Sequence, residues 1–242
     1  MGGTPSASAD LPTGDAKTAQ VRAMFDAIAP RYDLVNRVIT FGLDRRWRSR
    51  TFDALGLPGA STVLDLACGT GDFADLVVRR GCRVVGSDLS MGMLAARHTG
   101  FPVLQADALA LPLATGSLDG VVCGYALRNF TDLVASLAEA ARVLRPGGRL
   151  AVLEVASPAN GLMRRGFDLW FGRCVPAIGG LLSDAAAYRY LPRSTAYLPE
   201  PDDLRRMLVD TGFSTVGRQL LNGGLSQVIT ATRRGMPGAG PE

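Results

Sequence analysis

Asp65, Gly69, Gly71 and Asp88 are the residues whose types and spacing first suggest chemistry. Val63-Leu64-Asp65-Leu66-Ala67 is a short apolar run with one embedded acid, the profile of a buried strand. Gly69-Thr70-Gly71 follows after Cys68, and then Phe73, Ala74, Leu76, Val77 and Val78 read as a helix. A strand, a glycine turn and a helix start form a cradle in which a ligand can approach the backbone closely. Gly69-x-Gly71-x-x-Ala74 fits a dinucleotide fingerprint, and Asp88, ending the next apolar run, stands where an acid would accept ribose hydroxyls. Asp65 separates the two readings this leaves open. A carboxylate four positions before Gly69 repels a pyrophosphate and suits a cation such as a sulfonium with an α-ammonium group.

The surrounding elements must position these groups. Val21, Met24, Phe25 and Ile28 recur at helical spacing before Pro30, and a further helix opens at Arg45 and runs to Leu55, together an amphipathic cap ahead of the sheet. Strands are expected at 83–88, 103–105, 118–124 and 149–155, with helices at 91–98 and 133–144; Ser90 reads as a cap and His98 as the last turn of its helix. The strand over 118–124 delivers Arg128 and Asn129 to the carboxyl edge of the sheet, where open α/β folds bind ligands. Val216–Leu221 and Gln227–Thr232 read as a closing hairpin. Between Met163 and Pro199 the sequence is too apolar for an exposed insertion, which suggests a lid folded over the sheet edge.

The 242 residues are 47% hydrophobic with a net charge of +4, enough for one large domain and too weakly and diffusely basic to suggest nucleic acid. The expected organisation is a tail over 1–18, one domain over 19–234 with the lid insertion at about 160–199, and a tail over 235–242. No apolar run reaches a membrane span and the N-terminus lacks the core of a secretory signal, so a cytoplasmic protein is expected, with peripheral membrane association open to it. The four cysteines, without CxxC spacing, read as buried thiols, and no ligand cluster suggests a metal.

The stretch Val63–Ala74 resembles motif I of the class I S-adenosylmethionine methyltransferases. Met24-Phe25-Asp26 through Tyr32-Asp33-Leu34-Val35-Asn36, Leu127-Arg128-Asn129, Arg142-Val143-Leu144-Arg145-Pro146-Gly147-Gly148 and Ala187-Tyr188-Arg189-Tyr190-Leu191-Pro192 together resemble the UbiE/MenG family of quinone C-methyltransferases, over roughly residues 20–233. The resemblance implies a Rossmann-like α/β fold: a seven-stranded, mostly parallel sheet with an antiparallel edge strand, an N-terminal helical cap and a helical lid. It implies S-adenosyl-L-methionine as cofactor, held by Asp65, Gly69, Thr70, Gly71, Asp88, Asp107 and Ala108, the last two at the adenine. It implies a lipophilic acceptor, an isoprenoid quinol of menaquinone or ubiquinone biosynthesis. With no histidine well placed as a base, Arg128 is expected to stabilise the phenolate, its proton passing to water or a nearby acid, and Asn129 and Tyr32 to orient the ring. The lid would take the isoprenoid tail, contact a membrane or form a homodimer. Asp44, where many members carry histidine, Thr40, Ala156, Arg193, Thr195 and the altered last strand depart from the family pattern. Asp44, Arg193 and the altered last strand keep open a paralogue with another small lipophilic acceptor; a non-catalytic cofactor-binding protein is the third reading.

Overall fold

The computed structural model describes residues 12–235; the outer parts of both expected tails lie outside that range. The cap is built of α1 (Gly14–Ile28), α2 (Tyr32–Ile39) and α3 (Leu43–Leu55). The sheet follows as β1 (Thr62–Leu66), α4 (Asp72–Arg79), β2 (Arg83–Asp88), α5 (Met91–Ala95), β3 (Val103–Gln105), β4 (Leu118–Gly124), α6 (Leu133–Val143) and β5 (Leu144–Val155). Four further helices, α7 (Gly161–Leu169), α8 (Val175–Leu182), α9 (Ala185–Ser194) and α10 (Pro201–Asp210), precede the hairpin β6 (Phe213–Leu221) and β7 (Ser226–Arg233).

The seven strands run in the order β3-β2-β1-β4-β5-β7-β6. β1 to β5 pair in parallel, and β7 runs antiparallel to both β5 and β6. The closing hairpin thus supplies the reversed strand, one place in from the edge. Side chains alternate across each strand. Leu64, Leu66, Val121, Cys123, Leu150 and Val152 enter the core under α6 and α10. Val63, Val122, Ala151 and Leu153 enter the opposite core with α3 and α4. Asp65 shares the face of Val63, and this parity aims its carboxylate at α4.

Three expectations change. α1 begins at Gly14, so residues 14–18 belong to the cap: Lys17 is buried, donates to the Phe130 carbonyl at 2.7 Å and stands 3.6 Å over the Tyr197 ring. α5 stops at Ala95, which puts His98 beyond the helix, where its Nε2 meets the Asp33 carboxylate of α2. A side-chain partner on the cap replaces the expected helix-end role. The lid, finally, packs on the cap: Val175, Ala187 and Tyr188 share a core with Ile28, Ala29 and Val35. It meets the sheet through Ser194 of α9, which accepts from Arg128, and through Met163 of α7, which packs against Gly223 in the β6–β7 turn.

Gly71 marks the closest approach behind the cradle. Its φ is +99°, and a Cβ there would lie 2.7 Å from the Phe101 ring, so both the turn and the packing exclude a side chain.

Candidate active site

The carboxyl ends of β1 and β4 flank the point where strand order reverses, the usual ligand crevice of an open α/β sheet. Immediately beyond them Ala67 and Tyr125 adopt φ of +55° and +58°, values L-residues rarely take, and strain of this kind collects at functional sites. Two cavities open here.

The first lies over the sheet edge and is lined by Gly69, Asp88, Asp107 and Ala108, with Leu66, Leu89, Met93 and Phe130 as apolar walls and Thr18, Val21 and Arg22 of α1 as a roof. Asp88 Oδ2 accepts from Gly69 N at 2.8 Å and Oδ1 from Ser90 N at 2.8 Å. Burial raises the Asp88 pKa, and these backbone donors oppose it. Asp107 Oδ1 accepts from Leu109 N at 3.0 Å, so a turn-capping role and a place in the cavity wall coexist.

The remaining cradle residues stand behind this wall. Asp65 is 1% exposed, and its Oδ2 accepts from Ala74 N at 2.9 Å. Burial pushes its carboxyl up to about 7 against the pull of the Arg48 guanidinium. Thr70 turns its hydroxyl to Asp33 Oδ1 at 2.7 Å, tying the cradle to the cap, and Gly71 supplies the left-handed residue before α4. Among the predicted cofactor residues, Gly69, Asp88, Asp107 and Ala108 therefore line the cavity, whereas Asp65, Thr70 and Gly71 shape it from behind.

This arrangement discriminates between ligand charges. The backbone donors that a pyrophosphate would need at a glycine turn and helix start are partly taken by carboxylates: Gly69 N by Asp88, Ala74 N by Asp65. Among the described residues the lining carries two acids and, in Arg22 of the α1 roof, a single cation. Such a site repels polyphosphates and fits a sulfonium with an ammonium group, while Asp88 and the apolar walls fit a nucleoside.

The second cavity lies between cap and lid. Aromatic and aliphatic side chains of both line it, among them Phe25, Ile39, Phe167, Trp170 and Leu191, together with the polar groups Asp44, Arg48, Arg128, Asn129 and Ser194. Phe25, Tyr32, Tyr125 and Asn129 line both cavities and form their common wall. All three predicted reaction residues thus line the second cavity, and Tyr32 and Asn129 also face the first.

Arg128, 4% exposed, lies in the short turn Leu127–Asn129 after β4. Its Nη1 pairs with Glu154 Oε1 of β5, and its Nε donates to Ser194 Oγ of α9 at 3.1 Å. Nη2 makes no hydrogen bond to the described residues and is not among the buried unsatisfied atoms, so two N–H groups remain for a ligand. Glu154 is fully buried; burial raises its pKa and Arg128 opposes this. Asn129 Oδ1 accepts from the Tyr190 hydroxyl at 3.4 Å, and burial also raises the Tyr32 pKa.

Residue-type reasoning missed two participants. Asp44, 3% exposed on α3, is the one acid lining the second cavity among the described residues, with Thr40 Oγ1 donating to its Oδ1 at 3.1 Å. Its place in the cap sequence says nothing about which cavity it borders. Glu154 follows an apolar strand run, and its partner Arg128 is remote in sequence.

Comparison with known proteins agrees with this architecture. The profile of the ubiE/COQ5 methyltransferase family matches residues 13–233. A demethylmenaquinone methyltransferase from Thermus thermophilus is 43% identical over 220 residues, covering 87% of this chain and 100% of its own length. A ubiquinone/menaquinone biosynthesis C-methyltransferase UbiE from Syntrophotalea carbinolica is 42% identical over 226 residues, covering 90% and 95%. Among solved structures, a SAM-dependent methyltransferase from Thermotoga maritima superposes with a TM-score of 0.62 at 20% identity, over 88% of this chain and 100% of that one.

Proposed function

The chain belongs to the ubiE/COQ5 methyltransferase family, and from that premise we propose that it methylates a ring carbon of a demethylmenaquinol-type isoprenoid quinol. S-adenosyl-L-methionine supplies the methyl group as an electrophile. The observation that carries the reading is the common wall: a cavity suited to a cationic nucleoside and an aromatic, lipophilic cavity meet at Phe25, Tyr32, Tyr125 and Asn129.

Carbon methylation needs an electron-rich ring, and a quinol becomes one when its hydroxyl ionises. A phenol ionises near pH ~10, so the site must both stabilise the anion and take its proton. The free N–H groups of Arg128 meet the first need by donating to the phenolate oxygen. Asp44 meets the second, accepting the hydroxyl proton as the O–H bond breaks; once the ring carbon has taken the methyl group, its own hydrogen leaves as the one proton released, and the proton on Asp44 returns to the oxygen. Asn129 and Tyr32 hold the ring against the shared wall, on the side of the first cavity. Gly69, Asp88, Asp107 and Ala108 would hold the cofactor directly; Asp65 would act on it through its charge, and Thr70 and Gly71 through the shape of the cradle. The aromatic residues of the lid take the isoprenoid tail and exclude water.

The test is transfer of a radiolabelled methyl group from S-adenosyl-L-methionine to reduced demethylmenaquinone in detergent. Transfer is expected, and the Asp44→Asn protein is expected to turn over about 10²-fold more slowly with its cofactor affinity kept. Undiminished turnover by Asp44→Asn would remove Asp44 from the proton path. Intact cofactor binding with no transfer to the quinol would assign the second cavity to a different lipophilic acceptor.

A further inference from the structure

The outer face of the lid carries apolar side chains that the fold does not use. α7, the wide π-helical turn Trp170–Cys174 and α8 form one uninterrupted helical run from Gly161 to Leu182. At 3.6 residues per turn, positions seven or eighteen apart fall on one stripe. Leu162 and Leu169 are seven apart. Leu181 lies nineteen beyond Leu162, and the π turn, which takes up one more residue than an α turn, returns it to the same stripe. Leu162, Leu169 and Leu181 are 81%, 55% and 84% exposed, as one outward stripe requires. Arg165 and Arg173 follow Leu162 and Leu169 by three and four residues and are likewise exposed.

A second apolar stripe adjoins it. Leu34, Val38 and Phe41, at the i, i+4, i+7 spacing of one helix face, are all exposed on α2 and the turn that ends it. Phe41 stacks on Trp170 of the lid with ring centroids 4.7 Å apart, and both line the second cavity. Arg31 at the start of α2 donates to the Leu182 carbonyl at the end of α8, joining the other ends of the two stripes. The segments 31–50 and 161–182 expose many arginines, among them Arg31, Arg37, Arg45, Arg164, Arg165 and Arg173, against one exposed acid, Asp168. Apolar stripes edged by arginine are the pattern of a helix lying in the plane of an anionic bilayer, leucines in the acyl boundary and guanidinium groups among the headgroups. No helix among the described residues is long and apolar enough to cross a membrane.

We infer that this face, α2 with the α7–α8 run, docks on an anionic lipid bilayer and sets the mouth of the second cavity against it, so that a lipophilic acceptor passes from membrane to site without crossing water. The inference rests on the quinol reading for its purpose, but the surface can be tested without it. Co-sedimentation with phosphatidylglycerol/phosphatidylcholine vesicles, compared with pure phosphatidylcholine, is the experiment. The wild-type protein is expected to pellet with the anionic vesicles. The triple variant Leu162→Ser, Leu169→Ser, Leu181→Ser and the charge variant Arg165→Glu, Arg173→Glu should each lose at least about tenfold in partitioning. None of these residues lines either cavity. Transfer to a short-chain, water-soluble quinol should therefore be unchanged in both variants, while transfer to a long-chain quinol in vesicles falls. Wild-type protein left in the supernatant at low salt would overturn the inference. So would a stable dimer in sedimentation equilibrium that the triple variant abolishes without vesicle binding, since the stripe would then be an interface between copies of this chain. Vesicle binding intact with no transfer to either quinol would leave the docking face standing and refute the acceptor.

Discussion

Arg128→Ala is expected to lower the rate of methyl transfer by about 10² to 10³ while leaving cofactor affinity in place. The range is that for removing one preorganised donor from an anion formed in a water-excluded site. Arg128 does not border the cofactor cavity, so the loss should appear in turnover. The same change has a structural cost, because Glu154 is fully buried and already has Oε2 unpartnered. Removing one member of a buried ion pair costs about 3–5 kcal/mol, since the other is left desolvated and uncompensated. The two effects separate in the double variant Arg128→Ala, Glu154→Leu. It should recover most of the stability, read from urea denaturation midpoints, and none of the activity. Normal turnover by a folded Arg128→Ala protein would reduce the pair to scaffolding. Arg128→Lys should restore little, because an ammonium group cannot bond Glu154, Ser194 and a phenolate with the geometry of a planar guanidinium.

Asp65→Asn is expected to make the protein more stable near neutral pH and poorer at binding its cofactor. Burial holds the Asp65 carboxyl at about 7 in the folded chain, against an ordinary value of 3.8. The folded state therefore binds a proton that the unfolded state has released. This contribution to stability is fully present below pH ~4 and is lost as pH rises through about 7. Three pKa units correspond to about 4 kcal/mol. Asparagine keeps an acceptor for the Ala74 amide and cannot ionise. The stability difference between the two proteins should thus grow by about that amount from pH 4 to pH 8, as followed by denaturant titration. Parallel stability curves across that range would show that the wild-type carboxylate ionises at no cost. Loss of the negative charge beneath the cradle should at the same time weaken binding of a cationic ligand, measured by titration calorimetry.

Much of this architecture is legible in the amino-acid sequence. Apolar runs mark β1, β4 and the later part of β5, because strands buried on both faces admit few polar residues, and the glycine turn identifies the cradle. Direction was harder to read than position. The motif spacing puts Asp65, Thr70 and Gly71 beside a ligand, yet Asp65 serves the Ala74 amide and Thr70 serves Asp33. For Asp65 the parity with Val63 already indicates the face. For Thr70 the partner comes from the cap, remote in sequence. Asp44 and Glu154 follow the same logic: their neighbours are set by how α3 sits on the sheet and how β5 lies beside β4, which no local pattern encodes. The anchoring of α1 by Lys17 escaped for a different reason, since a small, polar, charged segment reads as a tail until its partners are known.

The wall shared by the two cavities has a thermodynamic consequence. Phe25, Tyr32, Tyr125 and Asn129 line both cavities, so the position they take against the first ligand is the surface that the second must meet. Cofactor and acceptor should therefore be coupled, each tightening the other by one common factor, as linkage requires of any two ligands on one macromolecule. The demethylated cofactor and the methylated ring would share that coupling, so the four residues between the two cavities would also govern how readily the products part.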